Sequence, residues 1–152
     1  MSFCLLLIVQ DLLQVFLLGN VLVPEYFLIW SFSLLLLEKE EFRKVLWICF
    51  FGGLFWDLRW TGLLGFTAGI YSFCIILVHW IWFLFPSSGR TPILFFSLSW
   101  FATLLVSLAR VVVWSATDGV LSHAFLVQQV CTIPVLLILT TVFARRIASE
   151  NA

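Results

Sequence analysis

The amino-acid sequence predicts an all-α integral membrane protein, a single domain over residues 1–152 that crosses the bilayer six times. Three observations lead there. Of 152 residues, 63% are apolar and only 11% charged, with a mean hydropathy of +1.16. A soluble domain has about a quarter of its residues charged and about half apolar, because its surface faces water. The apolar residues also fall into six runs with short breaks between them. At about 20 helical residues per crossing of a hydrocarbon core about 30 Å thick, six crossings use nearly the whole chain and leave no soluble domain. Lastly, the cations collect on alternate breaks, as a threaded chain requires.

Each run reads as a helix, because in lipid only a helix or a closed barrel satisfies its backbone, and the alternation of a barrel strand is missing. The first, 3–18, carries Gln10, Asp11 and Gln14. It has no basic start and no small-x-small cleavage site, so it reads as a span rather than a cleavable signal. Gly19-Asn20 and Pro24 turn the chain into the second, 21–37, and the charged loop Glu38 to Lys44 leads to the third, 42–56. The fourth, 62–85, contains Gly65-Phe-Thr-Ala-Gly69, a G-x-x-x-G spacing that admits a second backbone. Pro86-Ser-Ser-Gly-Arg-Thr-Pro92 is the clearest hinge, and the last two spans follow at 93–115 and 123–144. No internal repeat or low-complexity segment is visible.

Lys39, Arg43, Lys44, Arg90, Arg145 and Arg146 share the side of the even breaks and the termini, against Arg59 alone on the other. The positive-inside rule then places both termini in the cytoplasm. Trp47, Trp80 and Trp82 are expected at the inner interface, and Trp56, Trp60 and Trp114 at the outer one.

An ionisable side chain inside a span costs a few kcal/mol and takes a partner in the bundle interior. Asp11, Asp57 and Arg110 are such residues. By depth and opposite charge Asp57 is expected to pair with Arg110. The alternative is that Asp57 caps the third helix while Arg110 snorkels to the outer headgroups. Ser99, Thr103, Ser107 and Arg110 share one helical face, and Gln10, Asp11 and Gln14 cluster similarly, so both stripes are expected to pack against protein. Such stripes serve more often as glue between helices than as a ligand site.

Catalytic patterns are missing: no G-x-S-x-G, H-E-x-x-H or P-loop occurs, and no dense acidic set suits metal-phosphate chemistry. His79 and His123 fall near opposite faces, and His79 reads as an interface residue among aromatic neighbours. Cys4, Cys49, Cys74 and Cys131 lie without C-x-x-C spacing and read as small buried hydrophobes, not a zinc or redox site. The eight cations balance eight carboxylates and form no basic cluster, so nucleic acid is excluded as a partner. No catalytic, cofactor or metal residue is assigned.

The segment Gly52-Gly-Leu-Phe-Trp-Asp57-Leu-Arg-Trp-Thr-Gly62-Leu-Leu-Gly65 resembles the MreD family of bacterial rod-shape-determining membrane proteins. Gln14 late in the first span, Pro24-Glu25 opening the second, and a last span holding Pro134 and ending in Arg145-Arg146 extend the resemblance to the layout of nearly the whole chain. Arg110 is a departure with no counterpart in that pattern. The resemblance implies a non-enzymatic scaffold in the bacterial inner membrane, part of the cell-elongation machinery that makes peptidoglycan. Its implied partners are MreC, the actin-like MreB, RodA with its penicillin-binding transpeptidase, and membrane lipid. It implies a six-helix fold similar to the substrate-binding subunits of energy-coupling-factor importers. On this reading MreC's helix packs on the Gly65 and Gly69 face, and Arg43 and Lys44 meet cytoplasmic partners.

The competing reading is a vitamin-binding subunit of such an importer, with the polar stripes as its site. The outer loops offer little to enclose a hydrophilic ligand beyond Glu25, Asp57, Arg59, Asp118 and His123. A small membrane enzyme is a third reading, disfavoured by the missing motifs.

Overall fold

The computed structural model describes residues 2–16, 25–36, 41–86, 89–114 and 121–150. The described residues form six α-helices: α1 (Ser2–Phe16), α2 (Tyr26–Leu36), α3 (Phe42–Trp56), α4 (Phe66–Leu84), α5 (Pro92–Trp114) and α6 (Leu121–Glu150). A π-helical turn, Asp57–Thr61, continues α3 without a break. One helix thus falls in each of the six apolar runs. The segments Phe66–Leu84, Pro92–Val112 and Phe125–Arg145 are long and apolar enough to cross a membrane, while Leu5–Val15 and Tyr26–Leu36 are apolar but shorter.

α2 is the hub of the bundle and packs against α1, α3, α4, α5 and α6. Its sequence, YFLIWSFSLLL, is apolar all round, and nine of its eleven residues are buried, as a helix with no polar face requires. Eleven residues rise about 16 Å, roughly half a bilayer core. The expected start of this span at Val21 lies outside the described residues.

Two features separate α3 from α4. The π turn closes with Gly62 N–H bonding to Asp57 O at 3.2 Å. Gly62 and Gly65 then take φ of +66° and +90°, a left-handed backbone that side-chain-bearing residues avoid. The fourth helix therefore starts at Phe66 rather than at Gly62, and Gly65 stands before it rather than within it. The Gly65/Gly69 spacing is thus not a two-glycine notch on one helix. The glycine that does admit a backbone is Gly53: a Cβ there would lie 2.5 Å from Ala68 Cα.

α4 ends where the hinge was expected, and Gly89 N–H bonds to Pro86 O at 2.9 Å. Thr91 Oγ1 accepts Leu94 N–H at 3.3 Å at the start of α5, a side-chain cap. The end of the bundle that holds the start of α3 and the end of α4 is aromatic. Phe143 stacks on Phe95 with centroids 5.1 Å apart and meets Trp82 edge-on, while His79 stacks on Phe42 at 4.3 Å. Arg90 lies over Phe83, 4.8 Å from the ring centroid. Trp47 and Trp80 are exposed as an aromatic belt requires, but Trp82 is buried in this cluster and Trp56 is buried too. Cys49 and Cys74 are buried as expected, whereas Cys131 is exposed.

Candidate functional site

The opposite end of the bundle holds a buried charge cluster built from α3, α4, α5 and the residue that precedes α2. Arg110 lies on α5, and the helix buries it because Ser99, Thr103, Ser107 and Arg110 share one inward face, none more than 3% exposed. Its guanidinium forms an ion pair with Glu25, the residue before α2, through Nη1 to Oε1. Arg110 Nη2 lies 3.5 Å from Glu25 Oε2 and donates to the Tyr71 hydroxyl of α4 at 3.2 Å. The Tyr71 O–H in turn donates to Glu25 Oε2. The indole of Trp56, from α3, lies beneath, 5.2 Å from the guanidinium carbon, close enough for a cation–π contact. Both charges are nearly sealed, with side-chain exposures of 4% for Arg110 and 1% for Glu25. In such a setting charges persist only when paired and hydrogen-bonded.

Asp57 has a different task from the one the sequence suggested. Both of its carboxylate oxygens accept Thr67 N–H at 2.9 Å, and Oδ2 also accepts Ala68 N–H at 3.2 Å. It is fully buried. Those two amides open α4, so the carboxylate neutralises a helix terminus whose donors have no partners within the helix. The close ion pair of Arg110 is with Glu25, and the Asp57 carboxylate adds to the negative charge around the guanidinium. A cap was anticipated as the alternative role of Asp57, but the helix it caps is α4, not its own. Arg110 does not snorkel.

The polar stripe of α1 is buried at Gln10, Asp11 and Gln14, and it is used separately. Gln10 Oε1 accepts Phe27 N–H at 2.9 Å, tying α1 to the start of α2. Asp11 Oδ1 accepts Trp60 Nε1–H at 2.8 Å and pairs with Arg59 Nε at 2.7 Å, tying α1 to the π turn. The two stripes therefore take different partners. A third link joins α5 and α6, where Gln129 Nε2 donates to Ser107 Oγ at 3.2 Å.

Gly65 and Gly69 are both exposed, with nothing within 4 Å of a Cβ built at either. Arg43 and Lys44 are exposed in the first turn of α3 and reach Glu41 at 3.4 Å and 4.0 Å. The side chain of His123 and all of Asp118 lie outside the described residues.

Glu25 and Tyr71 were not singled out as interior partners in the sequence. Glu25 reads as a loop residue beside Pro24, and Tyr71 as one aromatic among many. The available signal was Arg110 itself, which in an apolar span demands a buried carboxylate.

The cluster can hold helices in register through charge, and the Asp57 cap can fix the α3–α4 corner. Among the described residues no group of three or more His, Cys, Asp or Glu side chains could hold a metal ion. No protein-family model, curated protein or solved structure matches this chain.

Proposed function

We propose that this chain is a non-enzymatic, six-span scaffold of the bacterial inner membrane, of the MreD kind, serving the complex that elongates the cell by peptidoglycan synthesis. The observation that carries the reading is the Gly52 to Gly65 segment. The residues behind the resemblance are those with a distinct structural task there: Gly53 admits α4, Asp57 caps it, and Gly62 and Gly65 turn the chain between. A close-packed, capped α3–α4 corner suits a subunit whose role is to hold others in place.

The distribution of polar groups supports the same reading. Glu25, Tyr71 and Arg110 bond to one another, Asp57 to a helix end, and Asp11 to Arg59 and Trp60, while Arg110 Nε, Ser99 Oγ and Gln129 Oε1 are buried without a hydrogen-bond partner. A vitamin site would need such groups turned toward an enclosed space. What the chain offers outward is apolar surface, including Ile93, Val112 and Leu84 at 76%, 71% and 69% exposure. MreC's single helix would dock beside the exposed Gly69, and Arg43 and Lys44 would face cytoplasmic partners, with both termini on that side. RodA and its transpeptidase would be held through the same assembly, and MreB through MreC or directly.

Depletion of the chain in its native host tests the reading. Rod-shaped cells should round up, and a plasmid copy should restore them. Unaltered cell shape with impaired uptake of a vitamin would instead establish the importer.

A further inference from the structure

We propose that the lateral groove between α1 and α3 is a binding site for one phospholipid, with an acyl chain in the groove and the phosphate on Arg43. The groove encloses about 500 Å³, within the range of small-molecule sites, and is lined by Leu7 and Ile8 of α1, Phe27 of α2, and Trp47, Phe51 and Phe55 of α3 among other apolar residues. Gly52 also lines it, and a Cβ there would run into the Phe27 ring, so this glycine lets Phe27 lie against α3 as the floor.

The sequence of α3 supplies an amphiphilic stripe. Arg43, Trp47, Phe51 and Phe55 recur every four residues and therefore share one face, and all four are exposed. Trp47 and Phe51 stack with centroids 5.7 Å apart, which makes a flat apolar wall above the cation. Arg43 has a side-chain exposure of 82%, and its carboxylate neighbour is Glu41 at 3.4 Å. An exposed pair of that kind is weak, and a phosphate ester accepts from a guanidinium through two parallel bonds. Lys44, also exposed, stands next to it in the same turn.

Length decides between an acyl chain and a partner's transmembrane helix. Twelve residues from Arg43 to Phe55 rise about 18 Å. One leaflet of a core about 30 Å thick is about 15 Å deep, and a spanning helix would need the full depth. Beyond Phe55 the stripe ends, because α3 passes into the π turn with Asp57 buried and Arg59 turned to Asp11. The groove therefore matches one leaflet's chain with a headgroup at its charged end. This site goes beyond the scaffold reading, which turns Arg43 and Lys44 to cytoplasmic partners, and its test reads lipid retention alone.

Native mass spectrometry of the full chain in detergent, titrated with phosphatidylglycerol and separately with diacylglycerol of the same chains, tests the proposal. One phosphatidylglycerol per chain should be retained, and Ile8→Trp, which fills the groove from α1, should weaken retention at least tenfold. Arg43→Ala should weaken phosphatidylglycerol several-fold while leaving diacylglycerol unchanged, and Ile138→Trp on the exposed face of α6 should behave as wild type. Unchanged retention by a folded Ile8→Trp, or equal binding of the two lipids by the wild type, would overturn it. If Ile8→Trp unfolds, a phosphatidylglycerol with a photoactivatable chain decides on the wild type. Crosslinks should concentrate on residues 7–8 and 47–55, and crosslinks confined to α5 and α6 contradict the site.

Discussion

Gly53 of α3 and Asp57, which opens the π turn continuing it, stand one helical turn apart, and both face the first turn of α4. The missing side chain lets the Ala68 backbone approach, and the carboxylate then receives the Thr67 and Ala68 amides. Close approach and capping thus reinforce each other, since the carboxylate reaches those amides only because the helices lie so near.

Gly53→Ala should therefore destabilise the protein by about 1–3 kcal/mol, toward the upper end because the clash is with backbone, which cannot rotate away. Gly69→Ala, with open space around it, should cost far less. Thermal unfolding of the two variants in the same detergent checks the contrast, and equal midpoints would contradict the close approach.

Asp57→Ala removes the acceptor of two buried amides and should cost about 2 kcal/mol. Asp57→Asn keeps one carbonyl oxygen for them and should cost less. Amide hydrogen exchange should show faster exchange at Thr67 and Ala68 in Asp57→Ala, while amides near the end of α4 stay protected. Loss of protection along the whole helix would count against a local cap.

The Glu25–Arg110 pair should show strong coupling. Removing either partner leaves a buried charge, so Glu25→Leu and Arg110→Leu should each cost about 3–5 kcal/mol. The double variant should be more stable than the sum of the two predicts. Exchanging the charges, Glu25→Arg with Arg110→Glu, should recover part of the loss, and more of it than the exchange of Asp57 with Arg110. Additive effects at Glu25 and Arg110 would refute the pair.

Gln10→Leu leaves the buried Phe27 amide without its side-chain acceptor and should loosen α1 from α2. Limited proteolysis should then cut sooner near the start of the chain, with α3 to α6 unaffected. Unchanged cleavage would mean that the Asp11 contacts with Arg59 and Trp60 hold α1 on their own.

Helix content and the inward stripes were legible in the sequence because an apolar run in lipid has one good backbone solution and polar side chains at helical spacing must share a face. Ser99, Thr103, Ser107 and Arg110 are buried together as their spacing implied. Partner choice was not legible. Depth along a helix placed Asp57 near Arg110, but the π turn and the left-handed Gly62 and Gly65 turn Asp57 toward the start of α4. Glu25 was hidden by its position beside Pro24, where a carboxylate ordinarily meets water. Trp82 and Trp56 left the aromatic belt for the interior for a related reason: the helices pack through aromatic clusters and a buried cation that composition alone does not locate.

Copurification decides whether this chain holds other membrane proteins together, as proposed above. A tagged copy at native expression, extracted in gentle detergent and compared with an unrelated multi-span membrane protein, should bring down MreC together with RodA and its transpeptidase. Recovery instead of paired ATPases with their coupling membrane subunit would contradict the scaffold and assign the chain to a vitamin importer.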